Sequence, residues 1–231
     1  MKKIAILPAR GGSKRIPRKN IREFCGKPII AWAIEAAHSS NCFDQIIVST
    51  DDPNIAAVAR EANAEVPFMR PAELADDYTG TTAVVRHALS TLIEQGLSPD
   101  LVCCIYATAP FLQPGDIQQG LEILAATGCD YVFSVTTFPF PIQRALKIMD
   151  NGRLGMFHPE HLLTRSQDLE EAYHDAGQFY WGRTSAWLAE KPIFGPNSCP
   201  VVLPRYRVQD IDTEEDWIRA EYMFEALKRA G

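Results

Sequence analysis

Short apolar runs alternate along this chain with longer segments in which apolar residues recur every three or four positions. The short runs predict buried strands, at 4–7, 45–49, 101–106 and 131–135. The periodic segments predict helices, at 29–38, 54–62, 83–95 and 117–126. This alternation predicts an α/β fold with a mostly parallel sheet and helices on both faces. A further short strand, 66–69, is expected at the sheet edge, because Pro67 donates no hydrogen bond to a neighbouring strand.

The alternation stops after residue 136. The segment 137–175 begins with aromatic and proline residues and contains Asp150-Asn151-Gly152, a strong signal for a hairpin turn. Aromatic residues exposed on an insertion favour a contact surface. We expect one domain over residues 1–231, with 137–175 as an inserted arm. A strand at 201–204 and a last helix follow, and the core face of that helix is expected to contain Trp217, Tyr222, Phe224 and Leu227.

The composition narrows the class of protein. A length of 231 residues fits one domain with a full core. The net charge of -6 argues against general binding of nucleic acid, because an acidic body repels phosphate backbones. We find neither an apolar run long enough to span a membrane nor a signal-peptide core after Met1. The cysteines form no C-x-x-C pair and are typical of reduced thiols, so we expect a cytoplasmic protein.

A basic, glycine-containing loop follows the first predicted strand. It contains two glycines and five cationic residues: Gly11, Gly12, Arg10, Lys14, Arg15, Arg18 and Lys19. Backbone N–H groups and cations at the carboxyl end of a parallel strand form a site for anionic oxygens. The P-loop spacing fails, because Ile16 stands where its second glycine would be, and the dinucleotide fingerprint is absent. We interpret the segment as a triphosphate-binding loop. A solvated basic loop is the alternative, which the position directly after a buried strand disfavours.

Three aspartates are candidates for the same site. Alternation along an extended segment places Asp210 and Asp212 on one face, where two carboxylates can hold Mg2+ together with phosphate oxygens and water. The alternative is that Asp212 caps the last helix in a capping box with Glu215, which explains Asp212 but not Asp210. Asp51 ends the second predicted strand at the same rim as the basic loop, and capping of the helix at 54–62 is an equal alternative for it.

The basic loop also carries a family resemblance. Its sequence, Pro8-Ala9-Arg10-Gly11-Gly12-Ser13-Lys14-Arg15-Ile16-Pro17-Arg18-Lys19-Asn20, resembles the N-terminal signature of the sialic-acid-type cytidylyltransferases, the CMP-sugar-acid synthetases. The resemblance implies a Rossmann-like nucleotidyltransferase fold. It also implies transfer of CMP from CTP to the anomeric hydroxyl of a sugar acid, with release of pyrophosphate. The ending Lys19-Asn20 resembles the branch that uses nonulosonic acids rather than Kdo.

The resemblance assigns most of the nucleotide site. It implies that Arg10 and Lys14 hold the phosphates, that Asp210 and Asp212 bind Mg2+, and that all four are catalytic. Arg70 stands in a segment similar to the family's Arg-Pro-x-x-Leu-Ala and is expected to face the base. The implied nucleotide-binding residues are Arg10, Gly11, Gly12, Ser13, Lys14, Lys19, Asn20, Asp51, Arg70, Thr81 and Thr82. One of the two threonines is also expected to cap the helix that follows.

Two departures from the sialic acid pattern indicate the acceptor. Tyr106 and Ala107 stand where the family usually has a Gln-Pro pair close to the sugar acid. The stretch His174-Asp175-Ala176-Gly177-Gln178-Phe179-Tyr180 resembles the pseudaminic acid branch, and a guanidinium such as that of Arg165 suits a carboxylate. The implied sugar-binding residues are Tyr106, Thr108, Arg165, His174, Asp175, Gln178 and Tyr180. Pseudaminic acid is the expected acceptor, with N-acetylneuraminate, legionaminate and Kdo as alternatives.

The resemblance also implies an assembly. In the family the inserted arm pairs two subunits and closes the partner's sugar pocket. We therefore expect a homodimer that binds CTP and a nonulosonic acid, and neither nucleic acid nor membrane. The proton acceptor stays open between a water on the metal and Asp51 acting through a water. A non-catalytic module that binds RNA or a nucleotide is the alternative of a different class, against which the acidic body and the Asp-x-Asp pair argue.

Overall fold

The computed structural model describes residues 1–230, which are built around a six-stranded sheet. The strands are β1 (Lys3–Pro8), β2 (Glu23–Phe24), β3 (Lys27–Pro28), β4 (Gln45–Ser49), β5 (Leu101–Ile105), β6 (Tyr131–Thr137), β7 (Leu146–Ile148), β8 (Leu154–Met156), β9 (Tyr173–Arg183) and β10 (Ser198–Val202). The helices are α1 (Ile29–Ser39), α2 (Pro53–Glu61), α3 (Thr81–Glu94), α4 (Pro114–Thr127), α5 (Thr184–Leu188) and α6 (Glu214–Ala230). Within residues 1–230, no helix has the length and apolar content that crossing a membrane requires.

The large sheet has the strand order β10-β6-β9-β5-β1-β4. β1 is parallel to β4 and β5, and β6 is parallel to β10. β9 is antiparallel to both of its neighbours, β5 and β6. The mostly parallel sheet is therefore confirmed. The carboxyl ends of β1, β4 and β5 meet at one rim, which is where open α/β sheets bind ligands.

Alternate residues of each strand face two separate cores, so helices cover both faces of the sheet. Ala5 and Leu7 of β1 belong to the core formed with α1, α2 and α4. Ile4 and Ile6 belong to the core formed with α3 and α5. The prediction of helices on both faces is confirmed. Packing in the two cores fixes the positions of the strands whose carboxyl ends form the rim.

The last helix, α6, forms a third and smaller core with the β2–β3 hairpin. Phe24 of β2 contacts Trp217 of α6 edge-on, with the ring centroids 5.5 Å apart. Tyr222, which was expected in this core, is 74% exposed. Met223 packs there instead, because a helical face that starts at Trp217 reaches positions 220, 223, 224 and 227 rather than 222.

An irregular arm joins β6 to β9. Its strands β7 and β8 form an antiparallel hairpin around Asp150-Asn151-Gly152, which confirms the predicted turn, and Gly152 has a φ of +75°. Thr137 and Tyr173 pair with each other in the sheet, so the arm comprises residues 138–172 rather than 137–175. Several of its apolar side chains are largely exposed in the single chain: Phe140, Ile148, Leu154 and Leu163.

The segment 66–69 is not a strand. Glu65 alone forms a bridge with Ile47, and its backbone exchanges hydrogen bonds with Ile46 and Val48. Pro67 follows and cannot extend the ladder, so the expected edge strand is reduced to one bridge. The chain then returns to the rim, where the N–H of Arg70 donates to the carbonyl oxygen of Thr50.

Candidate active site

A crevice of about 370 Å³ opens at the carboxyl ends of β1 and β5. The loop after β1, the segment that leads into α3, the residues after β5 and the segment before α6 contribute its lining. Eleven of the residues proposed for the site line it together: Arg10, Ser13, Lys14, Lys19, Asn20, Arg70, Thr81, Tyr106, Thr108, Asp210 and Asp212. Charged and hydroxyl groups prevail in this set, which suits a polyanionic, hydroxyl-bearing ligand.

The basic loop is held in place by its neighbours at the rim. The N–H of Gly11 donates to the Asp51 carboxylate at 3.0 Å, and the side-chain amide of Asn20 donates to the carbonyl oxygen of Arg10 at 2.9 Å. Arg18 adopts a left-handed backbone conformation with φ of +55°, which leads into the 3-10 turn Lys19–Ile21. Asn20 and Asp51 therefore stabilise the shape of the loop, and its cations are directed into the crevice from a fixed backbone.

Four of the five cations of the loop form two pairs, and one carboxylate holds each pair. Arg10 and Lys14 contact Asp77 at 2.7 and 2.5 Å. Arg15 and Lys19 contact Asp212 at 3.0 and 3.4 Å. The two carboxylates thus hold the cations that would otherwise repel one another. A polyphosphate that enters the crevice would therefore meet four cations that are already paired with carboxylates.

Asp210 and Asp212 form an anionic pair on one side of the crevice. Ile211 between them is buried in the core with Trp217, as the alternation predicts. Although Asp210 keeps solvent access, desolvation and the negative charge of Asp212 raise the pKa of its carboxyl above the ordinary value. Because a bound cation would remove this repulsion, the pair fits a divalent metal.

The cap of the last helix, which was the alternative role for Asp212, is formed by the next residue, Thr213. Thr213 accepts a hydrogen bond from the N–H of Asp216 at 3.2 Å, and the Asp216 carboxylate accepts one from the N–H of Thr213 at 2.8 Å. This is a reciprocal capping box at the start of α6, so the alternative of Asp212 with Glu215 is wrong. Across residues 1–230, no cluster of three or more His, Cys, Asp or Glu side chains forms a closed metal cage. A metal held by Asp210 and Asp212 would therefore take its other ligands from phosphate oxygens and water, as Mg2+ does.

The same division of roles occurs at Asp51. Its neighbour Asp52 caps α2, accepting from the N–H groups of Asn54 and Ile55 at 2.7 and 3.4 Å. Asp51 does not cap the helix. It accepts from Gly11 and lies 3.6 Å from the guanidinium of Arg70, just behind the crevice lining.

Arg70 is a buried cation that lies at ion-pair distance from Asp51 without a full set of hydrogen bonds. Its side chain is only 3% exposed, and its Nε and Nη2 groups have no hydrogen-bond acceptor among the described residues. Burial lowers the pKa of the guanidinium, against the opposing effect of Asp51. Buried donors without acceptors are costly. Because Arg70 lines the crevice, a ligand that offers oxygen or nitrogen acceptors would satisfy it.

Two hydroxyl groups meet on the crevice wall. Oγ1 of Thr81 and Oη of Tyr106 are 2.8 Å apart. Gly80 precedes α3 and the two threonines are its first residues, so the expectation that Thr81 or Thr82 caps this helix is wrong. Thr81 is instead free to face the crevice, whereas Thr82 lies outside the lining.

Asp175, Gln178 and Tyr180 lie behind Tyr106 in a second layer. Tyr180 donates to Asp175 at 2.5 Å and packs on Tyr106, with ring centroids 5.2 Å apart. Burial, together with the neighbouring Tyr106 and the negative charge of Asp175, raises the pKa of Tyr180. Gln178 is 3% exposed and donates to the carbonyl oxygen of Arg207 at 2.6 Å. The expectation that Gln178 and Tyr180 contact the sugar directly is therefore corrected. Both side chains are buried, and they support the crevice wall from behind.

His174 and Arg165 lie outside the crevice of the single chain. The ring of His174 packs edge-on against Phe138 at the base of the arm, with centroids 4.8 Å apart. Arg165 is in the arm, where its guanidinium contacts Asp168 at 2.7 Å and its side chain is largely exposed. Neither residue lines the same cavity as Tyr106 and Thr108.

Sequence reasoning missed three participants in the site and its support. Asp77 holds two of the cations, and a bidentate ion pair between Arg207 and Asp116 anchors the chain that leads to Asp210. The acidic pair Asp76-Asp77 close to a hydroxyl-rich loop was a visible signal for the first. The pairing of Arg207 with Asp116 joins residues 91 positions apart and had no signal in the sequence.

The fold and the crevice define an α/β protein with a site suited to a polyanionic, hydroxyl-bearing ligand at the carboxyl rim of its sheet. A sequence model of the family described as cytidylyltransferase matches residues 4–216. The chain therefore belongs to the cytidylyltransferase family, and it is an enzyme of that class. This confirms the family resemblance of the basic loop.

Two relatives cover nearly the whole chain. A pseudaminic acid cytidylyltransferase from Campylobacter jejuni is 48% identical over 224 residues, which are 97% of each chain. A CMP-N,N'-diacetyllegionaminic acid synthase from Legionella pneumophila is 33% identical over 100% of this chain and 99% of its own. Among solved structures, CMP:2-keto-3-deoxy-manno-octonic acid synthetase complexed with CTP superposes with a TM-score of 0.71 at 15% identity, covering 98% of this chain and 99% of that one. That similarity supports the Rossmann-like nucleotidyltransferase fold.

Proposed function

We propose that this chain transfers CMP from CTP to pseudaminic acid and releases pyrophosphate. The observation that carries the proposal is the crevice, in which the cations of the basic loop and the pair Asp210–Asp212 converge at the rim of the sheet. The choice of acceptor is supported by the 48% identity to the pseudaminic acid enzyme of Campylobacter jejuni and by Tyr106 on the crevice wall.

The reaction is an in-line displacement at the α-phosphorus. The anomeric hydroxyl oxygen of the acid forms a bond to this phosphorus, and the bond from phosphorus to the oxygen that leads to the β-phosphate breaks. Pyrophosphate leaves with that electron pair, and the hydroxyl proton passes to a base or to water. Arg10, Lys14 and Lys19 neutralise the charge of the triphosphate and orient it, which is where such enzymes gain most of their rate.

Asp210 and Asp212 are the residues that would hold Mg2+. When bound, this ion would stabilise negative charge on the departing pyrophosphate. Asp212 has a second role, because it also holds Arg15 and Lys19 in the crevice. Arg70 would satisfy its free donors on the nucleotide, as expected for a residue that faces the base.

We further propose that the arm, residues 138–172, pairs two copies of the chain and that Arg165 serves the partner's sugar pocket. Two observations support this: the arm has exposed apolar side chains, and Arg165 is not among the residues that line the crevice of its own chain. Leu163→Asp should give monomers in analytical ultracentrifugation and raise KM for the acid. Tyr222→Ser, at an exposed position on α6, should leave the dimer intact. A Leu163→Asp monomer with unchanged kinetics would reject the role in the pocket.

We also propose that the reaction takes place in the cytoplasm. All six cysteines have free thiols, and four of them are buried, which suits a reducing compartment.

The decisive experiment measures pyrophosphate release from CTP and Mg2+ with pseudaminic acid, N-acetylneuraminate, legionaminate and Kdo in parallel. We expect turnover with pseudaminic acid, and its loss in Lys14→Ala and in Asp210→Asn. Turnover with another acid alone would keep the chemistry and reject the acceptor. A protein that binds CTP or RNA without turnover, and keeps that binding in Asp210→Asn, would be a non-catalytic module.

A further inference from the structure

A short acidic loop lies against the phosphate-binding cations. Asp76 organises it by accepting hydrogen bonds from the N–H groups of Tyr78 and Thr79 at 3.0 and 2.7 Å. The carbonyl oxygen of Asp76 also accepts from Arg10 at 2.6 Å. This local fold brings the next residue, Asp77, to the cations.

The Asp77 carboxylate occupies these cations as a phosphate group would. One of its oxygens contacts Arg10 at 2.7 Å and the other contacts Lys14 at 2.5 Å. Hydrogen bonds from Lys14 and Arg10 lower the pKa of Asp77, which keeps the carboxylate charged. Both ion pairs are partly open to water, with the Lys14 side chain 81% exposed, so a ligand of higher charge can displace the carboxylate.

We propose that Asp77 is an internal competitor of the substrate's triphosphate. This rests on the phosphate-binding role proposed above for Arg10 and Lys14. In the free enzyme Asp77 holds both cations, it gives way when CTP binds, and it returns to them as pyrophosphate leaves. Asp77 therefore lowers the affinity of the enzyme for polyphosphates. Its return to Arg10 and Lys14 also assists the release of pyrophosphate.

A competitor and a residue that orders the site have opposite effects on the affinity for polyphosphates. If Asp77 competes, its removal frees two cations, and polyphosphates bind more tightly. If Asp77 instead holds Arg10 and Lys14 in their productive positions, its removal loosens both side chains, and polyphosphates bind more weakly. The interaction with the acceptor acid is unaffected in the first case, because Asp77 contacts only the phosphate-binding cations.

The first test is calorimetric titration of the free protein with inorganic pyrophosphate, without metal or nucleotide. Asp77→Asn is expected to bind pyrophosphate about two- to tenfold more tightly than the wild type, the range that two partly exposed ion pairs supply. Asp77→Glu, which keeps the charge, should stay close to the wild type. Glu73→Gln is the matched control, because it removes one negative charge from the same segment at a side chain that makes no ion pair among the described residues.

Steady-state kinetics supply the second test. Asp77→Asn should lower KM for CTP and the inhibition constant of pyrophosphate by similar factors and leave KM for the acid unchanged. Equal or weaker pyrophosphate binding in Asp77→Asn would overturn the proposal, and so would undetectable binding in both proteins. Tighter binding in Asp77→Asn without turnover on any acid would support the competitor and reject the proposed function. Turnover together with unchanged pyrophosphate binding in Asp77→Asn would support the proposed function and reject the competitor.

Discussion

Gly11 lies so close to Asp52 that no side chain fits between them. A β-carbon on Gly11 would be 2.7 Å from Oδ2 of Asp52 and 2.9 Å from its Cβ. Asp52 cannot move away freely, because its carboxylate caps α2. The basic loop and the start of α2 are therefore in direct contact, and a glycine is required here for space rather than for an unusual φ.

Gly11→Ala should displace the basic loop from the rim. The clash would lengthen the hydrogen bond from the Gly11 N–H to Asp51, and losing one such bond costs about 1 kcal/mol. We expect KM for CTP to rise about tenfold and the free energy of unfolding to fall by about 1 kcal/mol. Gly12→Ala is the comparison for stability, because a β-carbon there meets open space. Equal urea midpoints for the two variants would contradict the steric explanation.

Replacement of Arg70 should separate stability from binding. Its buried Nε and Nη2 donors have no hydrogen-bond acceptor among the described residues. Asp51, the ion-pair partner at 3.6 Å, is 27% exposed and keeps its hydrogen bond from Gly11, so Arg70→Met removes a desolvation cost as well as a ligand contact. Without nucleotide, the melting temperature of this variant should equal or exceed that of the wild type. The rise in melting temperature that saturating CTP produces should largely disappear. A melting temperature several degrees lower without nucleotide would show instead that Arg70 stabilises the fold.

The roles of the polar residues at the rim could be predicted only in part from the sequence. Asp51 and Asp212 each had a capping role and a site role as alternatives, and the spacing could not decide between them. In both places the adjacent residue caps: Asp52 for α2 and Thr213 for α6. Which residue becomes the cap depends on the backbone angles at a single peptide, and hydrophobic periodicity carries no information about these.

Periodicity predicted the strands of the sheet well and their directions less completely. β9 follows the arm and runs antiparallel to both of its neighbours, β5 and β6, and its polar first half carries no signal for this direction. Direction depends on where the arm returns the chain. The same strand carries Tyr180 and Gln178, whose motif resembles a sugar site but whose burial became evident only from the sheet order.

The ion pair between Asp116 and Arg207 should stabilise the segment that carries the candidate metal ligands. The two terminal guanidinium nitrogens of Arg207 contact the carboxylate, at 2.6 and 3.0 Å, and the side chains of Asp116 and Arg207 are 11% and 17% exposed. Removing one partner leaves a nearly buried charge, which costs about 3 kcal/mol. Arg207→Met and Asp116→Leu should each lose about this much in urea unfolding, and the double variant should lose less than the sum. Additive losses would mean that the two side chains act independently.

Asp130 should make stability depend on pH at the edge of the sheet formed by β6 and β10. Its carboxylate accepts from Lys191 at 2.8 Å and from Asn197 at 2.6 Å, and these hydrogen bonds lower the pKa of Asp130 below 3.8. Because the unfolded chain binds this proton first, the stabilisation is present above pH 3.8 and disappears as the pH falls through the lowered pKa. Asp130→Asn should cost about 1 kcal/mol in urea unfolding at pH 7, and the difference from the wild type should shrink below pH 3.8. Glu122→Gln, an exposed change of equal charge on α4, should show no such dependence, and a difference for Asp130→Asn that is constant with pH would exclude ionisation as the cause.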